Sequence, residues 1–338
     1  VVLPDWVASA LSLGNGGFYI SGDPPRFFDL ASSTHGEMPV DPESLNLEVL
    51  KSQQAPVLSN PSASLIDLGE GVACLEFHSK MNTIDEELVS MGLEATERVA
   101  SDFRALVIGN QGLNFSAGAN LARLLDSCRR SAWQEIEQLV RRFQRFCEGL
   151  RKSPFPVVAA PFRKTLAGGT EICLPCDRLV SSGETYMGLV EVGVGLIPAG
   201  GGCREMLLRK QPADPNDKLQ HQAGVAKVFD AIVMAKVSGS AVEARELGFL
   251  RDRDEIEVRQ DRVLFRARQR AIGLSSNYTP PDLTPMIACG ARASRFASLM
   301  PIRFSRSTPR LSSARDCRRA GSSLRWRTTI QSVVSAMP

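Results

Sequence analysis

Two glutamates lie twenty residues apart, and each follows or interrupts a run of small and apolar residues. Glu171 comes directly after Leu166-Ala167-Gly168-Gly169-Thr170, and Glu191 sits between Gly188 and Gly193. The start of a helix at Gly168 would favour the charged form of Glu171, whereas apolar neighbours would raise the pKa of Glu191. Carboxylates in different surroundings can divide the roles of general base and general acid. Either glutamate alone is as compatible with a surface charge or a structural ion pair.

Three glycine-rich segments are predicted to connect a strand to the helix that follows it. They cover residues 114–121, 166–171 and 198–202. Small residues let a ligand approach backbone N–H groups closely, and a helix N-terminus favours a negative charge. Two such turns on neighbouring elements would aim two N–H groups at one oxygen, as in an oxyanion hole. A single turn of this kind is equally well explained by tight packing.

The hydrophobic pattern along the chain predicts an α/β fold. Apolar runs ended by glycine or proline indicate buried strands, and apolar residues at helical spacing indicate helices. A capping box of Thr83 and Glu86 would start the first long helix, and Ser240 with Glu243 would start a later one that ends at Gly248. Predicted strands cover residues 64–77 (two strands), 104–109, 156–160 and 178–181, and predicted helices cover 131–150, 226–235 and 255–271.

Composition divides the chain into three parts. Residues 1–61 are rich in turn formers and are interpreted as a small appendage and a linker, residues 62–272 as the main domain, and residues 273–338 as a basic Ser/Arg-rich tail that is disordered. Residues 290–338 hold ten arginines and one acid, Asp316, so that segment carries +9 and the remainder −6 of the net charge of +3. A basic arm for RNA or membrane and a shifted reading frame are both compatible with that tail.

Several classes of protein do not fit this sequence. The acidic body argues against nucleic-acid binding, and no apolar run is long enough to span a membrane. The first residues lack the pattern of a signal peptide, so a cytoplasmic location is expected. Cys173 and Cys176 form one C-x-x-C among eight cysteines and three histidines, which is too little for a zinc site, and no metal is expected. Neither G-x-G-x-x-G nor G-x-S-x-G occurs in a suitable context.

Three segments resemble the crotonase, or enoyl-CoA hydratase/isomerase, family. They are FSAGANL (115–121), LAGGTEICLPCDRLV (166–180) and YMGLVEVGVGLIPAGGG (186–202). The resemblance implies a spiral of repeated ββα units with C-terminal helices, acting on acyl-CoA without a metal or redox cofactor, in a trimer-type homo-oligomer. It implies that Glu171 and Glu191 are catalytic and that the N–H groups of Ala119 and Gly168 hold the thioester oxygen. The substrate-binding residues that it implies are Ala117, Gly118, Gly169, Lys80 and Arg123.

The segments Pro4-Asp5-Trp6-Val7 and 14–19 resemble the end of the dehydrogenase part of fused 3-hydroxyacyl-CoA dehydrogenase/enoyl-CoA hydratase proteins. In such a protein NAD would bind only to an upstream domain. Departures from the family pattern are Asn120, Ala167 and the cations Arg163-Lys164. Hydration of 2-enoyl-CoA in fatty-acid β-oxidation is the expected activity. An enoyl-CoA isomerase, a fragment of a dehydrogenase and an inactive fragment remain alternatives.

Overall fold

The computed structural model describes residues 4–13, 17–20, 26–37, 41–212, 214 and 217–281. The basic tail predicted for residues 273–338 therefore lies almost entirely outside the described residues. Within the described residues, no helix combines the length and the apolar character that crossing a membrane would require.

Helices and strands alternate along most of the described chain. The helices are α1 (Asp5–Leu13), α2 (Leu47–Gln53), α3 (Glu86–Asp102), α4 (Leu121–Arg129), α5 (Trp133–Arg151), α6 (Gly168–Cys173), α7 (Gly202–Arg209), α8 (Lys218–Val233), α9 (Ala241–Leu247) and α10 (Val263–Ser275). The strands are β1 (Tyr19–Ile20), β2 (Arg26–Asp29), β3 (Thr34–Glu37), β4 (Leu58–Ser59), β5 (Ala63–Asp67), β6 (Val72–Phe77), β7 (Thr83–Ile84), β8 (Ala105–Gly109), β9 (Gly118–Ala119), β10 (Val157–Ala159), β11 (Arg163–Leu166), β12 (Arg178–Ser182), β13 (Thr185–Gly188) and β14 (Glu255–Glu257). Short 3-10 helices cover Lys80–Asn82, Glu191–Val194 and Gln260–Arg262.

A seven-stranded sheet forms the centre of the main domain, in the order β14-β12-β10-β8-β6-β5-β4. Strands β6, β8, β10, β12 and β14 pair in parallel, and β5 and β4 extend the sheet antiparallel. Parallel strands need both faces covered, which explains why β8 is buried at all five positions. The α/β class predicted from the sequence is confirmed.

Neighbouring residues of the central strands enter two different cores. Leu75 and Ile108 belong to the larger core, which includes residues of α3 and α5. Cys74 and Val107 belong to the smaller core, which includes residues of α10 and Leu47 of α2. Side chains alternate between the faces of a strand, so this sheet separates one helical layer from the other.

The segment from residue 41 to residue 61 packs on the main sheet. Leu47 is fully buried in the smaller core, and β4 pairs with β5. Arg262, which directly precedes α10, donates hydrogen bonds to Asp41 (2.8 Å) and Glu43 (2.6 Å). The contacts of this segment are therefore both apolar and ionic. Before it, β1, β2 and β3 form a separate antiparallel sheet.

Three predicted helix boundaries are wrong. Asp85, not Thr83, caps α3, because its carboxylate accepts the N–H of Leu88 (2.9 Å). The helix predicted for residues 255–271 begins only at Val263, since residues 255–257 pair with β12 as a strand. The helix predicted for residues 226–235 begins earlier, where Asp217 caps α8. The predicted cap at Ser240 and the left-handed Gly248 at the end of α9 are confirmed.

Two helical glycines give a matched test of the packing between α3 and α5. A Cβ added at Gly92 would lie 2.6 Å from ring atoms of the buried Phe146, whereas one at Gly149 meets nothing within 4 Å. We expect Gly92→Ala to lower the free energy of unfolding by about 1–3 kcal/mol through overpacking. Gly149→Ala should raise it by roughly 0.5–1 kcal/mol through helix propensity. Urea unfolding of both variants measures this; equal effects would contradict the described packing.

Candidate active site

Short strands bring the glycine-rich segments together beside the main sheet. Strand β9 pairs with β7, which places Gly118 opposite Thr83 and Ala119 opposite Ile84. Ser116 forms a parallel bridge to Thr165 of β11, and β11 in turn pairs with β13. The segment 114–121 therefore lies against the segment 166–171. Two turns must be adjacent in this way if both are to face one ligand.

The N–H of Ala119 stands out among the six backbone N–H groups from Phe115 to Asn120. The other five donate to Phe162 O, Lys164 O, Met81 O, Ser116 Oγ and Ile84 O, in chain order. Because Asn120 N donates to Ile84 O (3.1 Å), the preceding N–H points away from β7. Within the described residues Ala119 N has no acceptor, so this donor is available to a ligand.

Gly168 begins α6, and its N–H is likewise without an acceptor in the described part of the chain. The first N–H groups of a helix have no partner within the helix, and no backbone acceptor outside α6 is found for this N–H among the described residues. The two residues before it are fixed: Leu166 N donates to Ser116 O (3.0 Å) and Ala167 N to Gly188 O (2.8 Å). A Cβ at Gly168 would lie 2.6 Å from Ile84 Cδ1, so a larger residue here would have to displace the end of the Ile84 side chain.

The two turns approach each other at Gly118. Its φ of +90° favours glycine, and an added Cβ would lie 2.8 Å from Ala167 Cβ and 3.6 Å from Gly168 N. Gly118 is therefore required by its backbone conformation and by its neighbours. The available N–H groups of Ala119 and Gly168 thus belong to touching segments of backbone.

The carboxylate of Glu171 is buried at the start of α7. Its Oε1 accepts the N–H groups of Gly200 and Gly202, both at 2.8 Å, and the residue is only 3% exposed. Burial raises the pKa of Glu171, and the N–H groups of Gly202 and Gly200 oppose that rise. The sequence predicted that the start of α6, which contains Glu171, would act on this carboxylate. The structure corrects this, because the N–H groups that bind it lie at the start of α7.

Glu191 has a buried carboxyl group without any partner in the described structure. Neither Oε1 nor Oε2 receives a hydrogen bond. Burial, followed by the nearby charge of Glu171, raises the pKa of Glu191 to about 8. The raised pKa predicted from its apolar neighbours is thus confirmed. Glu191 therefore holds a proton under neutral conditions, near Glu171, whose own pKa is raised by burial and lowered in part by the N–H groups that it accepts.

The other residues implicated by the family resemblance have different surroundings. Ala117 donates its N–H to Met81 O (3.3 Å), and a Cβ at Gly169 would lie 2.7 Å from Ser116 Cβ. Lys80 is exposed in the 3-10 helix before β7. Arg123 is exposed on α4 and lines a cleft of about 360 Å³ that also borders Ala119. Of these residues, Arg123 shares a cleft with Ala119, and Gly169 directly follows Gly168 in α6.

The cations Arg163 and Lys164, which depart from the family pattern, are exposed on β11. Cys173 and Cys176 are buried, and burial raises the pKa of both thiols. The described residues hold no group of three or more potential metal-ligating side chains.

Three contributors to the site were not identified from the sequence. Phe143 of α5 lies against both Gly168 and Gly200, where an added Cβ would meet its ring. Asn82 and Ser116 form buried hydrogen bonds beside Gly118. Phe143 belongs to the predicted apolar stripe of α5, but no sequence signal distinguishes it from the core residues of that stripe. Ser116 lies inside the FSAGANL segment and could have been selected there.

Known proteins resemble this chain in sequence and in fold. Residues 67–214 match the family described as Enoyl-CoA hydratase/isomerase. A Bacillus subtilis (strain 168) protein named probable 3-hydroxyacyl-CoA dehydrogenase is 42% identical over 285 residues, which are 82% of this chain and 35% of the relative. A putative fatty acid oxidation complex trifunctional enzyme of Rickettsia felis is 34% identical over 48% of this chain and 22% of its own length. The chain thus spans about a third or less of these relatives.

Solved structures share the fold. A crystal structure of an enoyl-CoA hydratase from Polaromonas sp. JS666 has a TM-score of 0.54 at 24% identity, covering 63% of this chain and 77% of the other. DspI of Pseudomonas aeruginosa has a TM-score of 0.53 at 23% identity, covering 67% of this chain and 79% of the other. These likenesses support the predicted spiral fold.

The unpartnered Glu191 predicts a dependence of stability on pH. In the unfolded chain Glu191 would titrate near its ordinary value of 4.5, whereas in the folded protein its pKa is about 8. Between these values only the folded state holds the proton, so its contribution to stability falls as the pH rises towards 8. Glutamine does not titrate, so we expect Glu191→Gln to lack this loss of stability at high pH. At pH 8 the variant should therefore unfold at a higher urea concentration than wild type.

Urea unfolding at pH 5, 6, 7 and 8 measures the effect, with Glu184→Gln as the control because Glu184 is exposed on the same stretch of chain. If the free energy of unfolding changes with pH in Glu191→Gln as it does in wild type, Glu191 does not titrate in this range.

Proposed function

We propose that the chain catalyses the hydration of 2-enoyl-CoA, because residues 67–214 match the enoyl-CoA hydratase/isomerase family. The observation that carries this proposal is the pair of carboxyl groups in unlike surroundings. Glu171 is held by two backbone N–H groups, and the carboxyl oxygens of Glu191 have no hydrogen-bond partner among the described residues. An addition of water needs one group to accept a proton and another to donate one.

The N–H groups of Ala119 and Gly168 are proposed to bind the thioester oxygen of the substrate. As water attacks C3, electron density moves through C2 to this oxygen and gives an enolate-like transition state. Fixed donors that face the developing charge stabilise that state more than the substrate. The support for this assignment is that both donors lack acceptors within the described residues and lie on touching turns.

Glu171 is proposed to act as the base and Glu191 as the acid. Glu171 accepts one proton of the water while the oxygen bonds to C3, and Glu191 donates its proton to C2. The net reaction adds H and OH across the double bond and leaves the redox state of the substrate unchanged. This division follows the surroundings: two backbone N–H groups bind the carboxylate of Glu171, whereas burial and the nearby charge of Glu171 raise the pKa of Glu191 and keep it protonated.

Isomerisation of 3-enoyl-CoA is the main competing activity. Moving a double bond requires one proton to leave and another to return, which a single carboxylate can carry out in both directions. The presence of a second, protonated carboxyl group favours hydration. Acyl-CoA is the proposed substrate in both cases, and assembly as a homo-oligomer is proposed as well.

A second activity is proposed for a longer protein that would contain this domain. The product of hydration is a 3-hydroxyacyl-CoA, which is the substrate named in the description of the Bacillus subtilis relative. NAD would bind in another part of such a protein, and the described residues are not proposed to bind it. Recovering the full-length protein and measuring NAD reduction with 3-hydroxybutyryl-CoA would test this.

Glu171→Gln and Glu191→Gln should each lower the rate of crotonyl-CoA hydration at least about 100-fold, in line with the contribution of general acid/base catalysis. The loss of crotonyl-CoA absorbance measures the rate, and circular dichroism checks the fold. Glu137→Gln is the matched control, because Glu137 is exposed on α5 and pairs with Arg141 of the same helix. Near-normal hydration in either variant would contradict its catalytic role. Retention of 3-enoyl-CoA isomerisation after loss of one glutamate would favour an isomerase.

The rate of hydration should fall as the pH rises above about 8, because Glu191 then loses the proton that it donates. Measurement of kcat/KM for crotonyl-CoA from pH 6 to pH 9.5 tests this. Return of each sample to pH 7 serves as the control, since recovered activity excludes unfolding. A rate that is flat to pH 9.5 would show that Glu191 is not the acid.

A further inference from the structure

Ser116 lies fully buried between the two turns that carry the available N–H groups. Its hydroxyl donates a hydrogen bond to Asn82 O (2.7 Å) and accepts one from Gly118 N (3.1 Å). The second bond fixes the N–H one residue before Ala119. One side-chain oxygen therefore links the backbone beside Ala119 to the backbone before β7.

The backbone of Ser116 connects the same point to the turn at Gly168. Ser116 N donates to Lys164 O and Ser116 O accepts from Leu166 N, both at 3.0 Å. Gly169 packs directly on the side chain, since an added Cβ there would lie 2.7 Å from Ser116 Cβ. A displacement of Ser116 would therefore change the distance between the two N–H donors.

Asn82 is itself held rigidly. It has a φ of +51°, and its Nδ2 donates to Asn110 Oδ1 and to Asn114 O, both at 2.9 Å. Asn110 Nδ2 donates in turn to Phe115 O (3.0 Å), next to Ser116. A buried polar network in which every bond is made specifies one arrangement of its members. The Ser116 hydroxyl is thus bound to a fixed acceptor.

We propose that Ser116 is a positioning residue that aims the Ala119 N–H at the thioester oxygen. Gly118 N is held by the Ser116 hydroxyl and Asn120 N by Ile84 O, so the peptide between them has one orientation. Without the hydroxyl, Gly118 N and Asn82 O lose their partner and the peptide before Ala119 can turn. This inference rests on the proposed hydration, because it assigns Ala119 N to the substrate oxygen.

Ser116→Ala tests the proposal. We expect kcat for crotonyl-CoA hydration to fall roughly 10- to 100-fold, since a misplacement of about 1 Å costs up to about 10² in rate. KM should change less than about twofold. The direct readout is the absorption of a bound aryl-conjugated enoyl-CoA, which shifts to longer wavelength when its carbonyl is polarised. That shift should be smaller in the variant than in wild type.

Ser153→Ala is the matched control. Ser153 is also a buried serine whose hydroxyl is bonded to backbone oxygens, those of Leu150 and Phe155, at the far end of α5. Its loss should affect stability without changing the absorption shift. Ser116→Cys, with a weak donor and acceptor of similar shape, should give intermediate kcat and shift, and it replaces Ser116→Ala if that variant does not fold.

Each outcome decides between the possibilities. A wild-type absorption shift in Ser116→Ala or Ser116→Cys, with or without a loss of rate, would overturn the positioning role and leave a structural one. An equal fall in the shift in Ser153→Ala would also overturn it. Failure of the proposed function is distinct: wild type would then bind the aryl-conjugated thioester with a shift but would not hydrate crotonyl-CoA.

Discussion

The site depends on the burial of the Glu171 carboxylate against the first N–H groups of α7. Removing an unpaired carboxylate from water is costly; these bonds offset that cost and hold α6 against the start of α7. The far ends of the two helices are also joined, because Arg209 at the end of α7 donates to Leu174 O just after α6. A helix of only six residues is thereby fixed at both ends, and with it the Gly168 N–H at its start.

This arrangement explains where the chain needs small residues. Side chains at Gly200 or Gly202 would lie within about the contact distance of the Glu171 oxygens and would block the N–H groups that bind them. Phe143 fills the space next to Gly168 and Gly200, which keeps water from that side of the carboxylate. Glycine is therefore needed where the Glu171 carboxylate is buried beside the ring of Phe143. Gly200 and Gly202 also donate the N–H groups that make this burial possible.

Local sequence patterns predicted the elements whose residues are decided by burial, such as the apolar run of β8 and the glutamate pair with its glycine turns. These patterns failed where the structure of a segment is set by residues that are distant in the sequence. Residues 255–257 read as part of a charged helix but pair with β12, which lies more than seventy residues earlier. The partners of Glu171 follow it by about thirty residues, so its environment could not be read from its neighbours. The bond from Ser116 to Asn82 spans 34 residues and carries no local signal.

The two carboxyl groups are also coupled through their charge. An ionised Glu171 raises the pKa of Glu191 and so helps to keep it protonated. In the proposed hydration Glu171 gains a proton as Glu191 loses one, so the pair holds one proton before and after the step. The buried site then carries the same net charge throughout, and its low-dielectric surroundings impose no change in total charge on the reaction. The states before and after hydration differ only in which carboxylate is ionised. The N–H groups of Gly200 and Gly202 favour the state before the reaction, in which Glu171 is ionised.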